Sequence, residues 1–325
     1  MLSYPKENKG VAVFLLRLRG IANKTMYQRI VFLLILSTIV LTCKKSSKDD
    51  NSSLVALALA SSSLTTSGSC NGSTATTGTT VTASTATLDS TSGCVTGVTT
   101  CMDTALPSWI KNNFKCATAY VSGTSYVFKS QNVPNTKSYY YGSTSPLFES
   151  LPSGNTAAGT NKVSSQKLVY TIPATATKGT GTVSTQGGLV SIGITVNGLA
   201  IFNNAAAPPD NLSAEALTFD NYGGHPQNSG VYHHHAGASK ITNNDANLVG
   251  IILDGYAIYG KKCDNGTAST SDDFTPTLDS LHGHTAVTTH FPTATYHYHL
   301  TYDSTATIDT LMGSYFYGTI GSVSN

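Results

Sequence analysis

Charge is scarce in this chain: Asp, Glu, Lys and Arg make up 11% of its 325 residues, and Glu7, Glu149 and Glu215 are its three glutamates. No basic run lies in the part that could fold, so binding to nucleic acid through clustered phosphate contacts is excluded. No Cys-x-x-Cys occurs, which removes a thioredoxin-like site and a zinc knuckle. No Gly-x-Ser-x-Gly elbow and no His-Glu-x-x-His supports a serine hydrolase or a zincin. An uninterrupted apolar run of about 20 residues, the length of a membrane span, is also missing.

The longest apolar run is Ile30–Leu41, twelve residues with Arg29 before it and Cys43 just after Thr42. That length and those flanks suit the core of a signal peptide better than a span. Residues 1–42 are therefore expected to be a signal peptide, with Met26 as an alternative start. Val40-Leu41-Thr42-Cys43 resembles a lipobox, and Cys43 is the expected lipidation site. The expectation is an exported protein anchored through lipid to the cell envelope, with the outer membrane as its place. Removing residues 1–42 takes six of nineteen basic groups and one of seventeen acidic ones, which turns a formal +2 into about −3. Residues 43–100 are dominated by Ser, Thr, Gly and Ala and read as a flexible tether. Beyond Cys43 remain Cys70, Cys94, Cys101, Cys116 and Cys263, an odd number, so at least one is free or pairs between chains. Cys94 with Cys101 is the expected local bridge.

The character changes near residue 106, and residues 101–325 are read as the folded domain. Leu106–Phe114 reads as a short helix with Pro107 early in it, where a missing N–H is harmless. Short β-branched and aromatic runs follow, at Ala119–Phe128, Lys167–Ile172, Val190–Val196, Leu248–Leu253 and Tyr256–Tyr259, separated by Gly, Pro and Asn. The pattern predicts an all-β fold, a sandwich or barrel-like arrangement with a short N-terminal helix and long loops. Asn197-Gly198 and Asp254-Gly255 are hairpin signals.

All nine histidines fall between His225 and His299, and they belong to an internal duplication. Asp220-x3-Gly224-His225 precedes Tyr232-His233-His234-His235, and Asp279-x3-Gly283-His284 precedes Tyr296-His297-Tyr298-His299. Alternation along a strand puts His233 and His235 on one face, and likewise His297 and His299. Tyr296, Tyr298, Tyr232 and His234 take the opposite face, so His234 is a poor ligand candidate. His282 and His290 have no counterpart in the first copy.

The Tyr296–His299 tetrapeptide resembles the YHYH family, which takes its name from it. Ser130–Asn135, Val196-Asn197-Gly198, Gly224-His225-Pro226, Gly250–Gly260 and Gly313–Gly318 match as well, so the similarity spans roughly 106–325. Family members often carry a cysteine two residues after the block aspartate; Tyr222 and Leu281 stand there in this chain. The resemblance implies that disulfides formed by those cysteines are missing here. It implies a fold more than an activity.

Imidazole binds zinc, copper and iron, and His-x-His on a strand can chelate one ion from one face. The candidate ligands are His225, His233 and His235 in the first copy and His284, His297 and His299 in the second, with Asp220 and Asp279 placed to orient them from behind. A cupin needs Glu soon after His-x-His, and lysostaphin-type peptidases need His-x3-Asp upstream of it; neither pattern occurs. The competing expectation is a non-enzymatic surface protein whose Tyr and His pack in a β core while the domain binds a protein or glycan.

Overall fold

The computed structural model describes Cys70 and residues 79–325, apart from 189, 243 and 244. The signal-peptide segment, Cys43 and most of residues 43–78 lie outside the described residues. None of the described helices is long and apolar enough to cross a membrane.

The fold is all-β, with two open sheets whose inner faces share one core and no closed barrel. The first sheet begins with β1 (Cys101–Met102), which runs parallel to β2 (Thr118–Ser122), and continues through β3 (Ser125–Ser130) and β4 (Leu168–Pro173). Between β1 and β2 lies α1 (Ser108–Lys111), with Pro107 as its N-cap and Trp109 and Ile110 buried. The sequence predicts one strand over Ala119–Phe128. Gly123, at φ +57°, instead splits it into the β2–β3 hairpin, because a left-handed residue turns the chain where β-branched neighbours cannot. In β4, Leu168, Tyr170 and Ile172 are buried and their alternates only half-buried, the period of a strand with one face in the core.

The second sheet holds β5 (Gly193–Thr195), β6 (Ala200–Ile201), β7 (His225–Pro226), β8 (Tyr232–His234), β9 (Leu248–Ile252), β10 (Ala257–Tyr259), β11 (Gly283–Ala286) and β12 (Thr295–His299). Both hairpins expected from Asn197-Gly198 and Asp254-Gly255 form, as β5–β6 and β9–β10. The order across the sheet is β11-β12-β10-β9-β5-β6-β8-β7, a palindrome of two four-strand units. In each unit a hairpin leads to a long connection, then to an edge strand paired antiparallel to a strand that itself runs parallel to the hairpin's second strand. The duplication thus extends well past the histidine blocks. Gly193-Ile-Thr-Val-Asn-Gly-Leu-Ala-Ile-Phe202 lies over Gly250-Ile-Ile-Leu-Asp-Gly-Tyr-Ala-Ile-Tyr259 in the same structural places.

The units meet where Ile194 pairs with Ile251. A Cβ on Gly193 would stand 2.7 Å from the Ile251 carbonyl oxygen, and one on Gly250 only 2.3 Å from that of Ile194. Both glycines are needed for this close backbone approach. Phe128, Tyr170 and Ile172 of the first sheet share one apolar cluster with Ile194, Ile251, Ile258, Tyr296 and Tyr298 of the second. A two-stranded ribbon, β13 (Thr301–Asp303) and β14 (Ile308–Thr310), follows, and β15 (Ser322–Ser324) returns to the first sheet beside β4.

Two sequence expectations need correction here. The cysteines pair as Cys70–Cys101 and Cys94–Cys116, not Cys94–Cys101, and Cys263 is free and buried. Residues 79–100 are also not a loose tether. Ala86 and Val95 are buried in a second apolar cluster with Val133, Tyr140, Tyr141, Leu147 and Tyr232. The Gln131 amide binds this segment from both ends, donating to the Thr79 and Gly97 carbonyls and accepting from the Thr99 N–H. Two disulfides and a few small apolar side chains hold a Ser/Thr-rich segment that composition alone marks as unable to pack.

Candidate metal centres

The Asp-x3-Gly-His…Tyr-His-x-His block becomes physically intelligible in the fold. Asp220 Oδ1 accepts from the Tyr222 and Gly224 N–H groups, and Oδ2 accepts from the Tyr232 hydroxyl at 2.8 Å. Asp279 repeats this with the Leu281 and Gly283 N–H groups and the Tyr296 hydroxyl. The tyrosine ring lies so close to the glycine that a Cβ would meet it at 2.4–2.6 Å for Gly224 and 2.3–2.7 Å for Gly283. Each aspartate therefore braces the turn and the tyrosine. Among the described residues neither carboxylate makes a hydrogen bond to an imidazole. Their influence on His225 and His284 passes through the turn each one holds.

Strand alternation sorts the side chains as expected. Tyr296 and Tyr298 join the inter-sheet core, and His297 and His299 face the other way, wholly buried. His225 pairs with His233 across β7–β8, and His284 pairs with His297 across β11–β12. Nε2 of His233 lies 3.0 Å from Nε2 of His225 and 3.0 Å from Nε2 of His235. In the second copy Nε2 of His284 and His297 are also 3.0 Å apart. Both sequence-derived triads are thus brought together, each in its own cluster.

Each cluster gains a fourth donor. Glu215 Oε1 lies 3.4 Å from His225 Nε2 and 3.8 Å from His235 Nε2, and Cys263 Sγ lies 3.8 Å from His297 Nε2. Within each group of four the donor atoms lie within 4.8 Å of one another, so each group could hold one ion. Glu215 sits in α2 (Leu212–Ala216), in the connection from β6 to β7; Cys263 lies just past β10, in the equivalent connection to β11. Sequence reasoning missed both, because neither falls inside the repeated block. The available signals were the rarity of glutamate and one cysteine alone among the histidines.

Nδ1 of five of the six rings is fixed from behind. Those of His233, His235, His297 and His299 lie 2.6–2.9 Å from the carbonyl oxygens of Val231, Asn203, Thr295 and Gly260, to which they must donate. Asn203 and Gly260 hold the same place in the two units. The Thr218 hydroxyl donates to the Glu215 carbonyl, so it accepts from His225 Nδ1 at 2.7 Å. These bonds leave a bare lone pair on every Nε2 they govern.

Burial, aided by neighbouring histidines, pushes His225 down to about 3. Burial likewise lowers His235 and His297 to about 4 and His299 to about 3, and takes His233 well below its ordinary value. The rings are therefore neutral at pH 7. Burial, with the charge of Asp210 added, raises Glu215 to about 7. Two buried donor atoms, His299 Nε2 and Glu215 Oε2, meet no hydrogen-bond partner. The remaining histidines lie elsewhere: His234 Nδ1 donates to the Gly223 carbonyl, and Nδ1 of His282 and His290 meets the hydroxyls of Thr301 and Tyr259.

Fold and sites define a class: a two-sheet β protein whose larger sheet is internally duplicated and carries one histidine cluster per repeat. The family model described as "YHYH protein" matches residues 169–277 and 270–313, which cover both clusters. Residues 169–313 are a YHYH domain. No curated protein and no solved structure matches the chain.

Proposed function

We propose that this protein binds two transition-metal ions, one in each histidine cluster, and does so at the cell envelope. The observation that supports it most is the convergence of imidazole nitrogens whose protons are committed elsewhere. In a purely structural Tyr/His core each ring nitrogen would find a donor or acceptor. In the first cluster all three Nδ1 atoms do, but the Nε2 lone pairs of His225, His233 and His235 face one another at 3.0 Å in a buried space. Lone pairs so placed repel unless a cation lies among them. Nitrogen ligands at about 2.0–2.1 Å on one tetrahedral zinc stand about 3.3 Å apart, and a sulfur–nitrogen pair about 3.6 Å, close to the spacings seen. Zinc, copper and iron all suit these donors.

A two-disulfide domain favours an oxidising compartment, which agrees with export and with a lipid on Cys43. Metal analysis of protein purified without a polyhistidine tag tests the binding reading. His233→Ala/His235→Ala should lose one equivalent, His297→Ala/His299→Ala the other, and His234→Ala neither. Equal retention by all three variants would remove the sites.

A further inference from the structure

We propose that the two centres have different tasks. Glu215 is an exchangeable ligand whose release opens a coordination position for a small external oxygen or nitrogen donor, whereas the Cys263 centre is closed. The inference rests on the metal-binding reading above and concerns what differs between the copies.

The imidazoles repeat, but the fourth donor does not. Glu215 and His225 line a cleft of about 420 Å³ whose walls include Asn161, Asp210, Thr218 and Gln227. An ion held by His225, His233 and His235 is therefore reached through the side on which the carboxylate lies. Nothing anchors that carboxylate besides the cluster, since Oε2 has no partner although it is buried. Its carrier, α2, packs through Leu212 into a small cluster with Phe219, Ala236 and Ala306, separate from the main core. Glu215 can thus swing while the sheet stays intact. Three imidazoles with a fourth position shared between a carboxylate and an incoming ligand make an open site.

Cys263 is placed otherwise. It directly follows the β10 region and is paired through its backbone with Phe274, each N–H donating to the other's carbonyl at 2.9 and 3.1 Å. It is 1% exposed, and the His297 and His299 side chains beside it are fully buried. A thiolate is also a softer and more tenacious ligand for zinc or copper than a carboxylate. The partly exposed member of this cluster is His284, an imidazole carried on β11, so the fourth position is held by a buried sulfur on a paired stretch of backbone.

Loading the full tag-free protein with Co(II) reports both centres at once. Two bound cobalt ions should give a sulfur-to-cobalt charge-transfer band in the near ultraviolet, lost in Cys263→Ser. Azide should then change the visible cobalt bands while leaving the charge-transfer band in place. That response should persist in Cys263→Ser and vanish in His233→Ala/His235→Ala. Glu215→Gln, a weaker competitor for the open position, should bind azide several-fold more tightly. Two bound cobalt ions with no azide response, or a response confined to the thiolate band, would overturn the division of tasks while leaving metal binding intact. Failure to bind cobalt at all would overturn both.

Discussion

At the scale of single residues, the YHYH signature is a bracing device with imidazoles attached. Aspartate fixes the turn, glycine makes room for the tyrosine, and the tyrosine hydroxyl closes on the aspartate, which sets the angle of the histidine that follows. Gly224→Ala and Gly283→Ala should each destabilise the domain by about 1–3 kcal/mol, as overpacking does where a methyl group meets a ring. Denaturant midpoints of the two variants measure this, and unchanged midpoints would show that the tyrosine is free to retreat. The same scale sets the response to acid. All six cluster histidines titrate below their ordinary value in the fold, so the unfolded chain binds protons first as pH falls. Their contribution to stability is complete above about pH 6.5 and drains away as pH falls toward 3. Glu215, raised to about 7, acts in the opposite sense: its contribution is present below its unfolded value and lost as pH rises through 7. Burial raises Asp254 to about 6 and Asp220 as well, in the same sense as Glu215; six imidazoles outweigh three carboxyls, so the melting temperature of the metal-free protein should drop between pH 7 and pH 5. A flat or rising profile would contradict the burial of neutral imidazoles.

At the scale of elements, what was legible in the sequence followed periodicity and turn chemistry. Asn197-Gly198 and Asp254-Gly255 announced two hairpins, and His-x-His announced which side chains share a face. The duplicated blocks were visible too, yet the larger repeat from Gly193 to Phe202 and from Gly250 to Tyr259 surfaced only once β5 and β9 were seen to meet at a pseudo-twofold. Its glycines and its Ala-Ile pairs are too short a pattern to stand out among so many small residues. Glu215 and Cys263 escaped for a different reason. The connections that carry them differ between the repeats, and spacing cannot say which loop folds back over a sheet. Cysteine pairing and the packing of residues 79–100 were likewise set by long-range contacts, Cys70 to Cys101 and Cys94 to Cys116. Limited proteolysis under oxidising conditions should therefore spare residues 79–100. Reduction should expose them, because few apolar side chains would then remain to hold the segment. Cleavage there in the oxidised protein would contradict the packing.

At the scale of the molecule, two nearly identical half-sheets present two unequal centres beneath loops of different make. Labelled fatty acid should enter the wild-type protein in cells and not Cys43→Ala, and equal labelling would remove the lipid anchor. The central claim is that converging neutral imidazoles exist to hold metal, and the mass of the intact protein reads this directly. Native mass spectrometry of tag-free, disulfide-bonded protein after mild purification and reloading with Zn(II) should show two bound ions per chain. Treatment below the ordinary histidine range should release both. A mass equal to that of the bare chain, at neutral pH and in excess metal, would contradict the account.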